Sequence, residues 1–83
     1  MEENLILFLG KAWNYKILNY MFNSELSYFK FVYFIRYFNG EINHTLLSNN
    51  LKKMVEFKII EKTGLGYTLS LKGLELMANI NSF

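Results

Sequence analysis

A chain of 83 residues has room for one domain, because two separate cores need more chain than this, so residues 1–83 are expected to fold as a single unit. Hydrophobic residues make up 52% and aromatics 18%, and a domain this small buries only about 60% of the surface its unfolded chain exposes, so part of this apolar surface should meet a partner chain. Nine Lys or Arg against seven Asp or Glu give a net charge of +2, which permits nucleic-acid binding without arguing for it, and the absence of Cys excludes disulfides, thiol nucleophiles, cysteine metal sites and thiol redox sensing.

The chain opens MEENLILFLGKAW. Acidic Glu2 and Glu3 precede the apolar run Leu5 to Leu9, where a secretory signal would be positive, and the run is far short of the roughly 20 residues that span a bilayer. A cytoplasmic protein with no membrane partner is expected. Trp13, Ile17, Tyr20 and Met21 then fall at i, i+4, i+7 and i+8, one face of a helix from Ala12 to Phe22. A short helix at Glu3 to Leu9 can precede it, and Gly10 either separates the two or softens one continuous helix.

Asn23-Ser24-Glu25 is a polar break, and Leu26 to Phe31 reads as a short strand or an extended approach. Phe31, Phe34, Ile35 and Phe38 repeat at helical spacing, giving a helix of about Tyr28 to Phe38, closed by Gly40 in a left-handed cap. The stretch NHTLLSNNLKKM follows. Leu47, Leu51, Met54 and Val55 form one stripe of the next helix, about 44–57, while Thr45, Ser48, Asn49, Lys52, Lys53 and Glu56 form the opposite one, with Asn43 as N-cap. Ile59 to Lys62 and Gly66 to Ser70 read as a short hairpin across Thr63-Gly64-Leu65-Gly66. Ser70 caps a last helix from about Leu71 to Ile80, in which Leu71, Leu74 and Met77 or Ala78 share a face. The predicted class is α+β and mostly α: three helices, a two-stranded wing and a C-terminal helix, the layout of a winged helix-turn-helix.

Several stretches resemble the HxlR-type branch of winged-helix transcriptional regulators, related in layout to MarR-type ones. Gly10-Lys11-Ala12-Trp13-Asn14-Tyr15-Lys16-Ile17-Leu18 is similar to the family's glycine, lysine, tryptophan and isoleucine-leucine opening, with one extra residue before Trp13. Ile42, Leu47, Leu51, Met54 and Ile59-Ile60-Glu61-Lys62 resemble its recognition-helix region. Tyr67-Thr68-Leu69-Ser70-Leu71-Lys72-Gly73-Leu74-Glu75-Leu76 resembles its passage from wing to last helix. The resemblance covers residues 10 to 77 and implies a dimeric DNA-binding regulator.

Two departures bear on structure. Lys58 stands where the family places a glycine, and a left-handed backbone there costs a non-glycine residue about 1 kcal/mol, so the turn is expected to differ. The wing is shorter than the family's, which argues against deep insertion of its tip into the minor groove.

The second helix of a helix-turn-helix enters the major groove. Asn43, His44, Thr45, Ser48 and Asn49 are therefore the candidate base-reading residues. Asn pairs bidentately with adenine, and the stripe has no arginine for guanine, so an A·T-rich site suits it. Lys52, Lys53, Lys62, Lys30 and Arg36 are candidate phosphate contacts. Taken without the layout, the same stripe is an ordinary solvated helix face.

His44 is the only histidine and no carboxylates have ligand spacing, so no metal site is expected. The glutamates are scattered, no nucleophile has a neighbouring base, and Gly64-Leu65-Gly66 lacks the lysine and spacing of a phosphate loop, so neither catalysis nor a cofactor is expected. The aromatic series from Tyr28 to Phe38 exceeds what one short helix can bury, leaving a dimer seam or a small-molecule pocket. The resemblance, in which terminal helices make the dimer, favours a homodimer seam including Leu5, Leu7, Phe8, Leu76, Met77, Ile80 and Phe83. The competing reading is a winged-helix module that binds protein rather than double-stranded DNA.

Overall fold

The computed structural model describes residues 5–82. In chain order it contains α1 (Leu5–Leu9), α2 (Ala12–Asn23), α3 (Phe31–Tyr37), α4 (His44–Glu56), β1 (Ile60–Lys62), β2 (Tyr67–Leu69) and α5 (Leu71–Ile80). The start of the helix expected at Glu3 lies outside the described residues, as does Phe83. Gly10 separates α1 from α2. The end of α1 is tied to α2 at the Phe8 carbonyl, which accepts from Lys11 N at 3.2 Å and from the buried Asn14 Nδ2 at 2.7 Å, so a chain-end group of a short helix is satisfied.

The helix α2 packs on α1, α5 and β2. Ile17 and Met21 are buried as their spacing predicts, and so are Leu18 and Asn14, which the apolar stripe did not include. Tyr20, on the same helix, gathers the aromatic residues: its ring centroid lies 3.9 Å from Tyr37, 5.2 Å from Phe29, 5.7 Å from Phe34 and 5.9 Å from Phe38. Much of the aromatic surplus is thus spent inside one chain.

Helix α3 starts at Phe31, later than the expected Tyr28, because the residues before it are used elsewhere. Phe29 forms an antiparallel bridge with Tyr67, N to O at 2.7 Å and back at 2.8 Å, so the wing gains one rung of a third strand. That rung explains Gly66. A Cβ there would lie 2.6 Å from the Phe29 carbonyl oxygen, and its φ of +147° suits glycine alone. In the hairpin itself Ile60 faces Leu69, Glu61 faces Thr68 and Lys62 faces Tyr67.

Both helices of the helix-turn-helix end in the same way. After α3, Asn39 N–H donates to Arg36 O and Gly40 N–H to Ile35 O, with φ of 56° at Asn39 and 73° at Gly40. After α4, Lys58 N–H donates to Val55 O at 2.9 Å and Ile59 N–H to Met54 O at 3.1 Å, with φ of 63° at Lys58. These are Schellman closures, and the second has its hydrophobic clasp in Met54 and Ile59, both fully buried. The turn that Lys58 was expected to alter is kept, and a lysine occupies the left-handed position. Replacing it with glycine, Lys58→Gly, should stabilise the domain by about 0.5–1 kcal/mol, the relief of the left-handed strain less the entropy of a glycine. A denaturation midpoint unchanged or lowered in Lys58→Gly would show that the lysine is not strained.

Helix α5 turns a different face to the core from the one its leucines suggest. Leu71 and Leu74 are 71% and 44% exposed, whereas Gly73 and Met77 are buried and Leu76 and Ile80 half-buried against the core. Gly73 sets this orientation, since its missing Cβ lets the helix approach the Ile59 carbonyl. Ser70 caps the helix as predicted, its Oγ accepting from Gly73 N at 3.0 Å, and the same hydroxyl donates to Lys58 O at 2.6 Å. Lys72 Nζ donates to Phe57 O at 2.9 Å, a cation at the carbonyl end of α4.

Candidate nucleic-acid interface

Helix α4 has two faces of opposite character. Leu47, Leu51 and Met54 are fully buried, which fixes the rotation of the helix on the domain, and His44, Thr45, Ser48, Asn49, Lys52 and Lys53 are exposed on the other side. Thirteen residues make a rod about 20 Å long, enough to lie along a major groove. The apolar spacing alone dictates which residues point outward.

Asn43 is the N-cap, its Oδ1 accepting from Leu46 N at 3.1 Å. That hydrogen bond holds the Asn43 side chain against the first turn, while its oxygen keeps a second lone pair and its Nδ2 both protons. Asn49, nearly two turns further along, is exposed. His44 is exposed in the first turn, its ring edge-on to Phe31 at 6.0 Å, so α3 buttresses the start of α4. Thr45 and Ser48 are exposed between them.

The phosphate candidates separate into three places. Lys52 and Lys53 lie on α4 and, with Asn49, Asn50, Glu56 and Lys11, border a cavity of about 260 Å³ between α4 and the α1–α2 turn. Lys11 is a cation beside α4 that the residue spacing did not single out, because it comes from another element. Lys30 caps α3 between Phe29, which pairs with the wing, and Phe31, which packs on His44, so it lies between the start of α4 and the hairpin. Lys62 is on the wing, its Nζ 5.8 Å above the Tyr67 ring, a cation–π contact that steadies a flexible side chain at a cost of little solvation. Arg36 is elsewhere: it borders a cleft with Tyr20, Leu26, Tyr33 and Tyr37, and is not brought to the polar stripe of α4.

The expected seam residues are rearranged. Phe8 and Met77 are 1% and 0% exposed, the Phe8 ring tilted at 5.1 Å against Phe57, so both are core residues rather than surface ones. The reason is the short α1 folding under the end of α4, and the rotation of α5 set by Gly73. Leu5, Leu76 and Ile80 are half-buried against the same core. The apolar side chains open near the ends are Leu7, 64% exposed, and Leu71 and Leu74 on α5. Among the described residues no group of three His, Asp or Glu could hold a metal ion, and no helix is long and apolar enough to cross a membrane.

Neither a protein-family profile nor a curated protein sequence matches the chain. In three dimensions it is similar to quinone-bound YodB from B. subtilis, with a TM-score of 0.77 and 28% identity over 90% of this chain and 80% of that one. The element order, the α3-turn-α4 pair, the two-stranded hairpin and the closing helix, together with that likeness, make this chain a winged helix-turn-helix domain.

Proposed function

We propose that the protein is a small homodimeric transcriptional regulator that binds double-stranded DNA, with α4 in the major groove. The observation that carries this reading is the division of α4: Leu47, Leu51 and Met54 are fully buried with Val55 half-buried beside them, and the opposite stripe presents Thr45, Ser48 and Asn49 for bases and Lys52 and Lys53 for phosphates. Lys30 and Lys62 flank it from α3 and the wing. The net charge of +2 is small, so it is the position of these lysines and not the total charge that supports the reading. The structural likeness to YodB adds support for a regulator of this architecture.

In a two-fold dimer, two α4 helices about 34 Å apart would meet successive major grooves on one face of the duplex. Leu7, Leu71 and Leu74, with the half-buried Leu5, Leu76 and Ile80, supply the apolar surface for that dimer. Asn49, exposed in the middle of the stripe with no intrahelical side-chain hydrogen bond among the described residues, is assigned to adenine. Selection of preferred sites from a random duplex pool should return A·T-rich half-sites. Asn49→Ala should then lower affinity for the selected site about 5- to 100-fold and for random duplex hardly at all. Equal loss on both, or none on either, would remove Asn49 from base reading.

A further inference from the structure

The aromatic cleft on the α2–α3 side has no part in the proposed DNA interface. It is about 440 Å³ and is bordered by Tyr20, Leu26, Tyr33, Arg36 and Tyr37. Tyr33, Arg36 and Tyr37 stand at i, i+3 and i+4 on α3, hence on one face, and α2 supplies Tyr20 opposite. Tyr37 is 60% exposed although its ring is stacked at 3.9 Å on Tyr20, so an aromatic surface is held in place and left open. The lining combines rings, one aliphatic side chain and one guanidinium, and no carboxylate.

We propose that this cleft is a binding site for a planar aromatic carboxylate, its ring covering Tyr33 and Tyr37 and its carboxylate held by the Arg36 fork. The size is right for a small ligand, since such pockets run from about 300 to 1,000 Å³. Among the described residues Arg36 has no carboxylate partner, so its paired N–H donors are free to take a carboxylate in the two-pronged geometry that lysine cannot offer. The Tyr20 hydroxyl is pushed above its ordinary pKa, first by burial and then by the neighbouring Tyr37 and Tyr33, so it adds no negative charge to the cleft near neutrality. Rings recognise the flat body and the guanidinium selects the charge. The inference is independent of DNA binding, because it concerns a different face and a different ligand.

The test is titration of the full chain with 2-naphthoate and, as the uncharged counterpart, 2-naphthylmethanol, followed by calorimetry and by the tyrosine ring resonances. The acid should bind with a Kd at or below about 1 mM, the range expected for a ligand of this size, and shift the Tyr20, Tyr33 and Tyr37 resonances. The alcohol should bind at least about tenfold more weakly, and Arg36→Gln should abolish that preference, while Arg36→Lys restores part of it. Tyr37→Ala should weaken both ligands. No binding of the acid at about 5 mM overturns the proposal, as does equal affinity for acid and alcohol, or a preference that survives Arg36→Gln. Arg36 and Tyr37 are exposed, and an unchanged thermal midpoint in each variant confirms that the comparison is made between folded proteins.

Discussion

Gly73→Ala should strongly destabilise the domain, although alanine is the better helix former by about 1 kcal/mol. A Cβ at position 73 would run into the Ile59 carbonyl oxygen and lie 3.0 Å from its carbon, with Leu69 Cδ2 at 3.2 Å on the other side. The obstacle is backbone, so it cannot rotate away. Ile59 is fully buried, and its carbonyl accepts from Ser70 N at 3.1 Å, so moving it breaks the junction between α4, the hairpin and α5 together. Overpacking of this kind costs about 3 kcal/mol or more, against the 1 gained in propensity. The net loss, about 2 kcal/mol or more, corresponds to a fall of roughly 10 °C or more in Tm for a domain of this size. A Tm within a few degrees of the parent would show that α5 can slide outward without cost.

Ser70→Ala should be the next most damaging change, lowering stability by about 2 kcal/mol. About 1 of this is the lost N-cap, since Ser70 Oγ accepts from the Gly73 amide. The remainder comes from the Lys58 carbonyl, which loses a donor 2.6 Å away. That carbonyl belongs to the left-handed residue that closes α4. One hydroxyl therefore joins the end of α4 to the start of the last helix, and its loss should also loosen α4 at its C-terminal end. Urea unfolding should show a lower midpoint with an unchanged slope; an unchanged midpoint would mean that the two hydrogen bonds have no net worth.

These two positions show what was legible in the chain and what was not. Ser70 as a cap, Asn43 as a cap, and the Leu47-Leu51-Met54 stripe follow from local rules, and each is observed. The short hairpin and the closure of α3 at Asn39-Gly40 belong to the same class. Gly73 was visible only as part of a familiar pattern, because its role depends on Ile59, fourteen positions away, coming close enough to exclude a methyl group.

The misplaced features share that cause. Of the two readings open for Tyr28 to Lys30, an extended approach and the start of a helix, the extended one is observed, because the Tyr67 backbone offers Phe29 two hydrogen bonds and pairing overrides the aromatic periodicity. Leu71 and Leu74 look like a core stripe, yet the packing of Gly73 turns them outward and brings Leu76 and Ile80 towards the core. Phe8 seemed available for a partner because nothing local shows that Phe57 will cover it. Asn14, buried with its Oδ1 lacking a partner among the described residues, was invisible for the same reason: its Nδ2 serves a carbonyl six residues back. Within the candidate site, the outward residues of α4 could be read from spacing, whereas Lys11 beside α4 and the removal of Arg36 to the aromatic cleft depend on how separate elements meet.

The claim that α4 and its flanking lysines grip duplex DNA is tested most directly by the salt dependence of binding, measured on the selected duplex for the parent and for Lys52→Ala. The logarithm of the binding constant should fall linearly with the logarithm of salt, with a slope of about −0.9 for each phosphate neutralised. Lys52→Ala should weaken every duplex alike and reduce the slope by about 1 per subunit, about 2 for a dimer. No detectable binding to any duplex at low salt, or a slope that Lys52→Ala leaves untouched, would contradict it.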